Sequence, residues 1–457
     1  MKSVLYLPGF THRMHGGRVA RAAQRLACPR LDGFSRLAGR FLPKRVFDAL
    51  DYRDRVYTPW VTFCGFLSQV LQRDCGCKEV VHRVQALRVS RGKKAPSANT
   101  SAYCQARAKL DASTLRTAHE ALVGRLEAKS IEQDTWQGRR VKLIDGTGFS
   151  MPDSDENRAD YPYAGGQKPG CGFPLGKLVA IFSLAGHLVR LAQQSWKTHE
   201  IVLARQIVGW INPGEVLVGD RGFCGWGLIA LLRRKEVDVV IRLHQMRVDR
   251  PGRSVWKRPQ RPETWDADLW AELPKQLEMR IVRFRVEHPG YRTKTITLAT
   301  SLLDEAAYPE AALIELYGLR WQVEGNYRDI KTTLGLDILR TRSPDMIERE
   351  VLMQAIAHNL VRAVMLEAAN SHEVALRRMS FKGALTALRQ WAPLLHDAVG
   401  RRREDIYVDL LAVIAADLLP VRPNRVEPRC VKRRPKNYQL MTKPRRAMRV
   451  SKSRALK

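Results

Sequence analysis

The amino-acid sequence predicts a mixed α/β protein with a central α/β core, an inserted β-rich module and helical regions on both sides. Three observations support this fold class. Apolar residues recur every three or four positions in residues 61–89, which is typical of amphipathic helices. From Arg139 onward, short apolar runs alternate with helical patterns, which indicates strands and crossover helices. A segment rich in proline and tryptophan, 245–305, interrupts this alternation and contains two further strand patterns.

The composition is that of a globular protein with a polyanionic partner. Of 457 residues, 45% are hydrophobic and 27% are charged, and no segment has the roughly 20 apolar residues of a membrane span. We therefore expect no membrane partner, and the poor signal peptide around Pro8 predicts a cytoplasmic protein. The eight scattered cysteines indicate reduced thiols. Lys and Arg number 78 against 46 Asp and Glu, so the net charge of +32 favours nucleic acid. Charge alone does not separate an enzyme from a passive binder.

The region before the core is predicted to be a helical DNA-binding domain, residues 41–135. Its helices are joined by basic turns such as 90–107, which suits a helix-turn-helix variant. A plain helical bundle with a charged, solvated face fits the same pattern equally well. Residues 1–40 form a basic extension to which we assign no role.

The order of elements after Arg139 predicts a ribonuclease-H-like core. Three strands are followed by helix, strand, helix and strand, which is a three-strand meander continued by βαβ crossovers. The predicted boundaries then follow in chain order. They are 136–244 for the first part of the core, 245–305 for the β-rich insertion, 306–375 for the second part of the core, 376–420 for C-terminal helices and 421–457 for a basic tail predicted to be disordered.

Two aspartates at the ends of apolar strands are candidate catalytic residues. Asp145 ends a strand run whose apolar residues are Val141, Leu143 and Ile144. Asp220 ends another, formed by Val216, Leu217 and Val218. Because the carboxyl ends of core strands meet in a crevice, we expect the two carboxylates to converge. For either residue alone, an Asp that starts a turn is an equally good interpretation.

A predicted helix, 315–335, supplies a third candidate acid, Glu324. At about 100° per residue, one helix face carries this acid together with cationic and aromatic residues, while apolar residues lie on another face. The residues predicted to share the face of Glu324 and to bind DNA are Tyr317, Arg320, Arg328 and Lys331. A solvated amphipathic face is the alternative, although it does not single out one acid among basic residues.

Three converging carboxylates predict a site for hard divalent cations. Oxygen ligands suit Mg²⁺, with Mn²⁺ as a substitute. Two such ions about 3.5 to 4 Å apart hold the attacking and leaving oxygens of a phosphoryl displacement. The sequence therefore predicts metal-dependent chemistry on nucleic acid, carried by Asp145, Asp220 and Glu324, without an organic cofactor.

The same residues resemble a known family. The spacing Y-x2-R-x3-E-x6-K, formed by Tyr317, Arg320, Glu324 and Lys331, is similar to the signature of the IS4 family of DDE transposases. The segments IDGTGFSMPD and VLVGDRGF resemble the family's two aspartate motifs, in the same order.

The resemblance implies cut-and-paste transposition in a bacterial cytoplasm, at the nucleoid. Members bind the terminal inverted repeats of their element, hydrolyse a strand at each end and use the 3′-hydroxyl to attack target DNA. Some members pass through a hairpin, and the tyrosine, arginine and lysine of the signature contact DNA phosphates. Synapsis of two ends implies at least a dimer on double-stranded DNA.

Two other functions remain open at this point, namely a catalytically retired, sequence-specific DNA-binding regulator and a stand-alone metal-dependent nuclease. Strand joining distinguishes a transposase from both. Among secondary candidates, Trp256 and Trp265 are more simply explained as packing residues than as stacking platforms for a flipped base. For His199, a helix-start role is favoured over a role in the site. Asp153 and Asp155 are interpreted as turn residues.

Overall fold

The computed structural model describes most of the chain between residues 31 and 421. The described ranges are 31–48, 56–72, 75–168, 170–244, 246–247, 249–286, 295–421, 441–444 and 447–448. Most of the predicted extension 1–40 and nearly all of the predicted tail 421–457 therefore lie outside the described residues, as do residues 287–294 of the predicted β-rich insertion.

Helices and strands alternate in the way that a mixed α/β protein requires. The described helices are α1 (Leu31–Phe41), α2 (Pro59–Leu71), α3 (Cys77–Ser90), α4 (Ser101–Lys109), α5 (Ala112–Lys129), α6 (Ile131–Asp134), α7 (Asp155–Asp160), α8 (Glu200–Ile207), α9 (Trp226–Arg234), α10 (Ala267–Glu272), α11 (Glu310–Leu319), α12 (Gln322–Arg328), α13 (Pro344–Ser371), α14 (Phe381–Asp397) and α15 (Arg401–Ala416). The strands are β1 (Thr135–Trp136), β2 (Arg139–Ser150), β3 (Leu175–Ser183), β4 (Leu188–Ser195), β5 (Val216–Gly219), β6 (Asp238–Arg242), β7 (Gly252–Lys257), β8 (Gln276–Arg285) and β9 (Thr295–Thr300). The predicted combination of a central sheet with many helices is confirmed.

The chain divides into two compact units. The first joins Met1–Ala118 to Ala363–Val374 and Met379–Leu418, so that helices from both ends of the chain share one core. Its first helix, α1, packs closely on α14, because a Cβ atom on Gly33 would lie 2.1 Å from the carbonyl oxygen of Ala392. Only glycine allows that approach of two backbones.

The second unit, built mainly from His119–Arg362, contains the sheet. Within the described residues the strand order is β4-β3-β2-β5-β6-β9-β8-β7, and β1 pairs with β2. The strands β2, β3 and β4 form an antiparallel meander, and β5 and β6 continue the sheet as parallel strands beside β2. The strands β7, β8 and β9 then extend the same sheet in antiparallel fashion from β6. The β-rich segment is thus a continuation of the central sheet.

Apolar side chains cover both faces of this sheet. Neighbouring residues of β2 point to opposite faces, so Ile144 packs with residues of α8 and α9, whereas Leu143 packs with residues of α11 to α13. The strand β5 is buried along its whole length, as expected for a parallel strand between two helical layers. The three tryptophans of the inserted segment, Trp256, Trp265 and Trp270, are buried in the first of these clusters. Their favoured interpretation as packing residues agrees with this burial.

Three buried histidines lie in the second unit. His187 shares a hydrogen bond of 2.8 Å with the Ser183 hydroxyl, and His358 lies 3.0 Å from the carbonyl oxygen of Gly186. The third, His119, lies 3.1 Å from the Asn359 amide nitrogen. Burial lowers the pKa of His119 and of His187 to about 3, and it lowers the pKa of His358 well below the usual value.

We expect acid to destabilise this unit. A histidine whose folded pKa is depressed contributes stability that is complete above pH 6.5 and is lost as the pH falls towards 3. Between pH 7 and pH 5, His119 and His187 each lower the free energy of unfolding by about 2 kcal/mol. Asp145 has the opposite effect. Because its pKa is raised to about 6, it raises the free energy of unfolding by about 1 kcal/mol over the same pH range. His358, whose pKa is also depressed, adds to the loss from the other two histidines, so urea unfolding followed by circular dichroism should show a net loss of at least about 3 kcal/mol.

A matched control for this pH dependence is His244→Gln, which replaces an exposed ring in the same unit. This variant should lose as much stability between pH 7 and pH 5 as the unmodified chain. A free energy of unfolding that does not change over this range would contradict the prediction.

No helix within the described ranges is both long and apolar enough to cross a lipid bilayer.

Candidate active site

The register between β2 and β5 places Asp145 beside Asp220. These strands are parallel, and Ile144 is paired with Gly219, so the residue after each partner is an aspartate. Asp220 follows the end of β5, as predicted. Asp145 follows the apolar run of β2, as predicted, but it is not the last residue of the strand, because β2 continues to Ser150, paired with the antiparallel strand β3 and bridged at Ser150 to Ile338. Asp145 thus marks the point at which β2 leaves its parallel neighbour.

Both aspartate carboxylates are oriented by the backbone of a following glycine. The Gly146 amide donates a 2.8 Å hydrogen bond to Asp145 Oδ1, and the Gly222 amide donates one of 2.8 Å to Asp220 Oδ1. In the second case the aspartate caps a short 3-10 turn, Arg221–Phe223. The turn interpretation of Asp220 is therefore compatible with a role in the site, because it is Oδ1 that accepts the hydrogen bond of the turn.

Asp145 lies in an environment that disfavours its charge. Burial raises its pKa to about 6, and the charges of Asp220 and Glu200 add to the rise, while the Gly146 amide and Arg320 oppose it. Its side chain remains 20% exposed. A carboxylate that is this strongly desolvated and repelled by neighbouring acids favours a cation nearby.

The segment that carries the signature is not one regular helix. The helix α11 ends at Leu319, α12 begins at Gln322, and a π-helical turn follows from Asp329 to Leu334. The predicted face, which assumed 100° per residue throughout, is therefore interrupted twice. Such π-helical turns frequently occur at functional sites.

Arg320 connects the third acid to the first. Its Nη2 lies 3.3 Å from Glu324 Oε1, and its Nη1 lies 4.0 Å from Asp145 Oδ2. The Arg320 side chain is buried, whereas that of Glu324 is 49% exposed. Glu324 is thus held towards the aspartates through a guanidinium group.

The other predicted DNA-binding residues differ in exposure. Lys331 donates a 3.0 Å hydrogen bond to the Thr147 hydroxyl on β2, two residues beyond Asp145. Tyr317 is buried, and Arg320 lies 5.8 Å from the centre of its ring. Arg328 is exposed, and its charge opposes the rise in the pKa of Asp329 that burial causes. Of these residues, Arg320 and Lys331 contact the aspartate strand or its acid.

Two residues at the site were not predicted from the sequence. The buried Tyr327 donates a 2.6 Å hydrogen bond from its hydroxyl to the Asp145 carbonyl oxygen, and it packs edge-on against Phe182. It therefore joins α12 to β2 beside Asp145. The second residue is Glu200, the first residue of α8, whose carboxylate lies against Gly146. His199, in contrast, caps this helix by accepting a hydrogen bond from the Ile201 amide, in agreement with its favoured helix-start role.

The carboxylates suit a hard divalent cation in chemistry. Oxygen ligands are those that Mg²⁺ and Mn²⁺ prefer, and a cation would relieve the repulsion that raises the pKa of Asp145. In the described part of the chain, no three His, Cys, Asp or Glu side chains come close enough together to hold a metal ion. Glu324 is paired with Arg320 and does not form a cluster of three carboxylates with the two aspartates.

Comparison with known proteins shows that the chain is similar to transposases. The family described as "Transposase DDE domain" matches residues 136–360. Transposase InsG for insertion sequence element IS4, from Escherichia coli (strain K12), is 26% identical over 393 residues, which cover 82% of this chain and 85% of that protein. A chain of the piggyBac transposase synaptic complex with hairpin DNA aligns over 87% of this chain and 85% of its own length, at 9% identity and a TM-score of 0.40, a likeness too weak to support an argument. The chain is thus similar in sequence to DDE transposases, both through residues 136–360 and through the transposase of insertion sequence element IS4.

Proposed function

We propose that this insertion-sequence transposase cuts and joins the ends of its element with Asp145, Asp220 and Glu324, in a ribonuclease-H-like core. Support for the core comes from the strand order, in which a three-strand meander is continued by the parallel strands β5 and β6. The observation that carries the assignment of the acids is the Arg320 bridge, which ties Glu324 to Asp145 beside Asp220.

The three acids would hold two Mg²⁺ ions, with Mn²⁺ as a substitute. Divalent ions at such carboxylates activate the attacking hydroxyl and offset the charge of the leaving oxygen. The protein orients the aspartates through the Gly146 and Gly222 amides, which fix one oxygen of each carboxylate. Tyr327 holds α12 against β2, so that Glu324 is attached to the aspartate strand through buried contacts.

Arg320, Arg328 and Lys331, with Tyr317, are the residues that we propose to contact DNA. If Glu324 held a metal ion, Arg320 would lose this carboxylate partner, and its guanidinium would be available to a phosphate. Lys331, in the π-helical turn, contacts the strand that carries Asp145 through its hydrogen bond to Thr147, which places its charge beside the acids. Because two ends of one element must be cut, we propose that at least two chains assemble on the terminal inverted repeats and the target DNA.

The test of this function is an incubation of the purified chain with Mg²⁺ and two DNA substrates. One is a labelled duplex with the repeat that flanks the gene, and the other is a supercoiled plasmid. We expect cleavage at the repeat boundary followed by joined products. Cutting without joining would instead establish a nuclease, and tight binding of the repeat with neither reaction would establish a regulator.

We further expect Lys331→Ala to weaken binding of the end duplex. One lost phosphate contact makes the slope of log affinity against log salt concentration shallower by about 0.9. A salt titration of a fluorescent duplex measures this slope. Thr147→Val is the matched control, because it removes the hydroxyl that Lys331 contacts and leaves the charge in place, so its slope should equal that of the unmodified chain. Equal slopes for Lys331→Ala and the unmodified chain would remove Lys331 from the DNA contact.

A further inference from the structure

We propose that Glu200 is a fourth acidic residue of the active site and contributes its carboxylate to the divalent-cation site beside Asp145 and Asp220. The proposal rests on the function proposed above for the two aspartates. It adds a residue from a third element, since Glu200 begins α8, the helix that follows the meander strand β4.

The contacts of Glu200 lead to both aspartate motifs at once. A Cβ atom on Gly146 would lie 2.7 Å from Glu200 Cδ and 2.8 Å from its Oε1. A Cβ atom on Gly222 would lie 3.6 Å from Glu200 Oε2. Gly146 directly follows Asp145, and Gly222 lies two residues after Asp220. One carboxylate therefore has an oxygen beside the glycine of each aspartate motif.

The position of the Glu200 carboxylate depends on the absence of a side chain at Gly146, the glycine of the first motif. A side chain at position 146 would displace the Glu200 carboxylate, the flexible end of its side chain, because a Cβ atom there would lie 2.7 Å from Glu200 Cδ. The backbone there is extended strand with ordinary geometry, so the glycine is not required by its dihedral angles. The absence of a side chain at Gly146 leaves room for an acid next to Asp145.

The charge around Glu200 is unusual for this chain. Although Lys and Arg number 78, none of them forms an ion pair with Glu200 within the described ranges. Glu324, by contrast, has the guanidinium of Arg320 as a partner. The charges of Asp220 and Glu200 both act on Asp145, and within the described ranges the ion-pair partner of Asp145 is Arg320, at 4.0 Å. A half-buried acid beside other acids is destabilising unless a cation compensates for it.

A packing role for Glu200 is the competing explanation, and it makes a different prediction. If the side chain only fills space over Gly146, its replacement lowers stability and leaves cation binding unchanged. If its charge serves the cation site, the isosteric Glu200→Gln removes repulsion in the metal-free protein and weakens cation binding. Residues that serve a site in this way commonly reduce the stability of the free protein.

The experiment measures the melting temperature (Tm) of the full-length chain in EDTA and during titration with Mn²⁺. For Glu200→Gln we expect an equal or higher Tm in EDTA, a smaller rise of Tm with Mn²⁺ and about tenfold weaker Mn²⁺ affinity by calorimetry. Glu315→Gln, which changes an exposed glutamate near the end of α11, is the matched control and should keep both quantities unchanged. Cleavage of the end duplex should fall with the Mn²⁺ affinity, whereas metal-free binding of the duplex persists.

A lower Tm in EDTA together with unchanged Mn²⁺ affinity would overturn the proposal and leave Glu200 as a packing residue. If Glu200→Gln fails to fold, Glu200→Asp tests the proposal instead, because it keeps the charge and shortens the side chain by one carbon. Unchanged Mn²⁺ affinity in a folded Glu200→Asp would also overturn the proposal. Asp145→Asn separates this proposal from the proposed function. If Asp145→Asn binds Mn²⁺ as tightly as the unmodified chain, the whole acidic site is wrongly assigned. If only Glu200→Gln binds Mn²⁺ as tightly as the unmodified chain, the aspartates keep their proposed role in the cation site and Glu200 is excluded from it.

Discussion

Asp145→Asn, Asp220→Asn and Glu324→Gln should each abolish strand cleavage at the end of the element while the protein still binds the end duplex. Each substitution keeps the shape of the side chain and removes one oxygen ligand with its charge. We expect the cleavage rate to fall by at least about 10³-fold, equivalent to about 4 kcal/mol of lost transition-state stabilisation. Binding should persist, because removing a negative charge from a chain of net charge +32 does not weaken its attraction to DNA.

The measurement is a time course of labelled duplex in Mg²⁺ on a denaturing gel, with binding followed separately by gel shift in EDTA. Asp155→Asn is the matched control. This carboxylate lies in the segment after the first aspartate motif, its side chain is 96% exposed, and it pairs with Arg158. The control should cleave at the unmodified rate. An amide variant at 145, 220 or 324 that cleaves at that rate would show that its acid is not part of the catalytic set.

The sequence predicted the parts of the site that depend on local pattern. The strands β2 and β5 carry apolar runs because both of their faces are covered, and the aspartate that follows each run is therefore conspicuous in the sequence. The parallel register then brings Asp145 and Asp220 together without further information. The β-rich segment was also recognisable from its strand patterns, but its attachment to β6 was not, since strand pairing between distant segments leaves no local signal.

Glu200 and Tyr327 could not be predicted in the same way. A glutamate in the first turn of a helix is ordinary, because it interacts favourably with the helix dipole, so Glu200 at the start of α8 carries no special signal. Tyr327 lies three residues after Glu324 and was not distinguished from a core aromatic. Its role follows from the hydroxyl bond to the Asp145 carbonyl, which exists only once α12 lies on β2. The break between α11 and α12 at Arg320 and Trp321 likewise could not be predicted, because the helical face was calculated with a constant angle per residue.

Lys142 is expected to be the residue on which the stability of the sheet depends most. It lies in β2, three residues before Asp145, and its side chain is fully buried. Its amino group forms an ion pair with Glu127 and lies 3.5 Å from Glu215 Oε1. Because Glu215 is itself buried, removing the lysine leaves an uncompensated charge inside the protein. Lys142→Met should lower the free energy of unfolding by about 3 to 5 kcal/mol.

Urea unfolding at pH 7 measures this loss, and Lys257→Met, an exposed lysine on β7, should change stability by less than about 0.5 kcal/mol. The double variant Lys142→Met with Glu215→Gln should recover part of the loss, because the second substitution removes the unpaired charge. A double variant no more stable than Lys142→Met would mean that packing, not charge, dominates at this position. Below its melting temperature Lys142→Met should still cleave DNA, since Asp145, Asp220 and Glu324 are unchanged. This outcome separates the amino group that stabilises β2 from the carboxylates that we propose as the catalytic set.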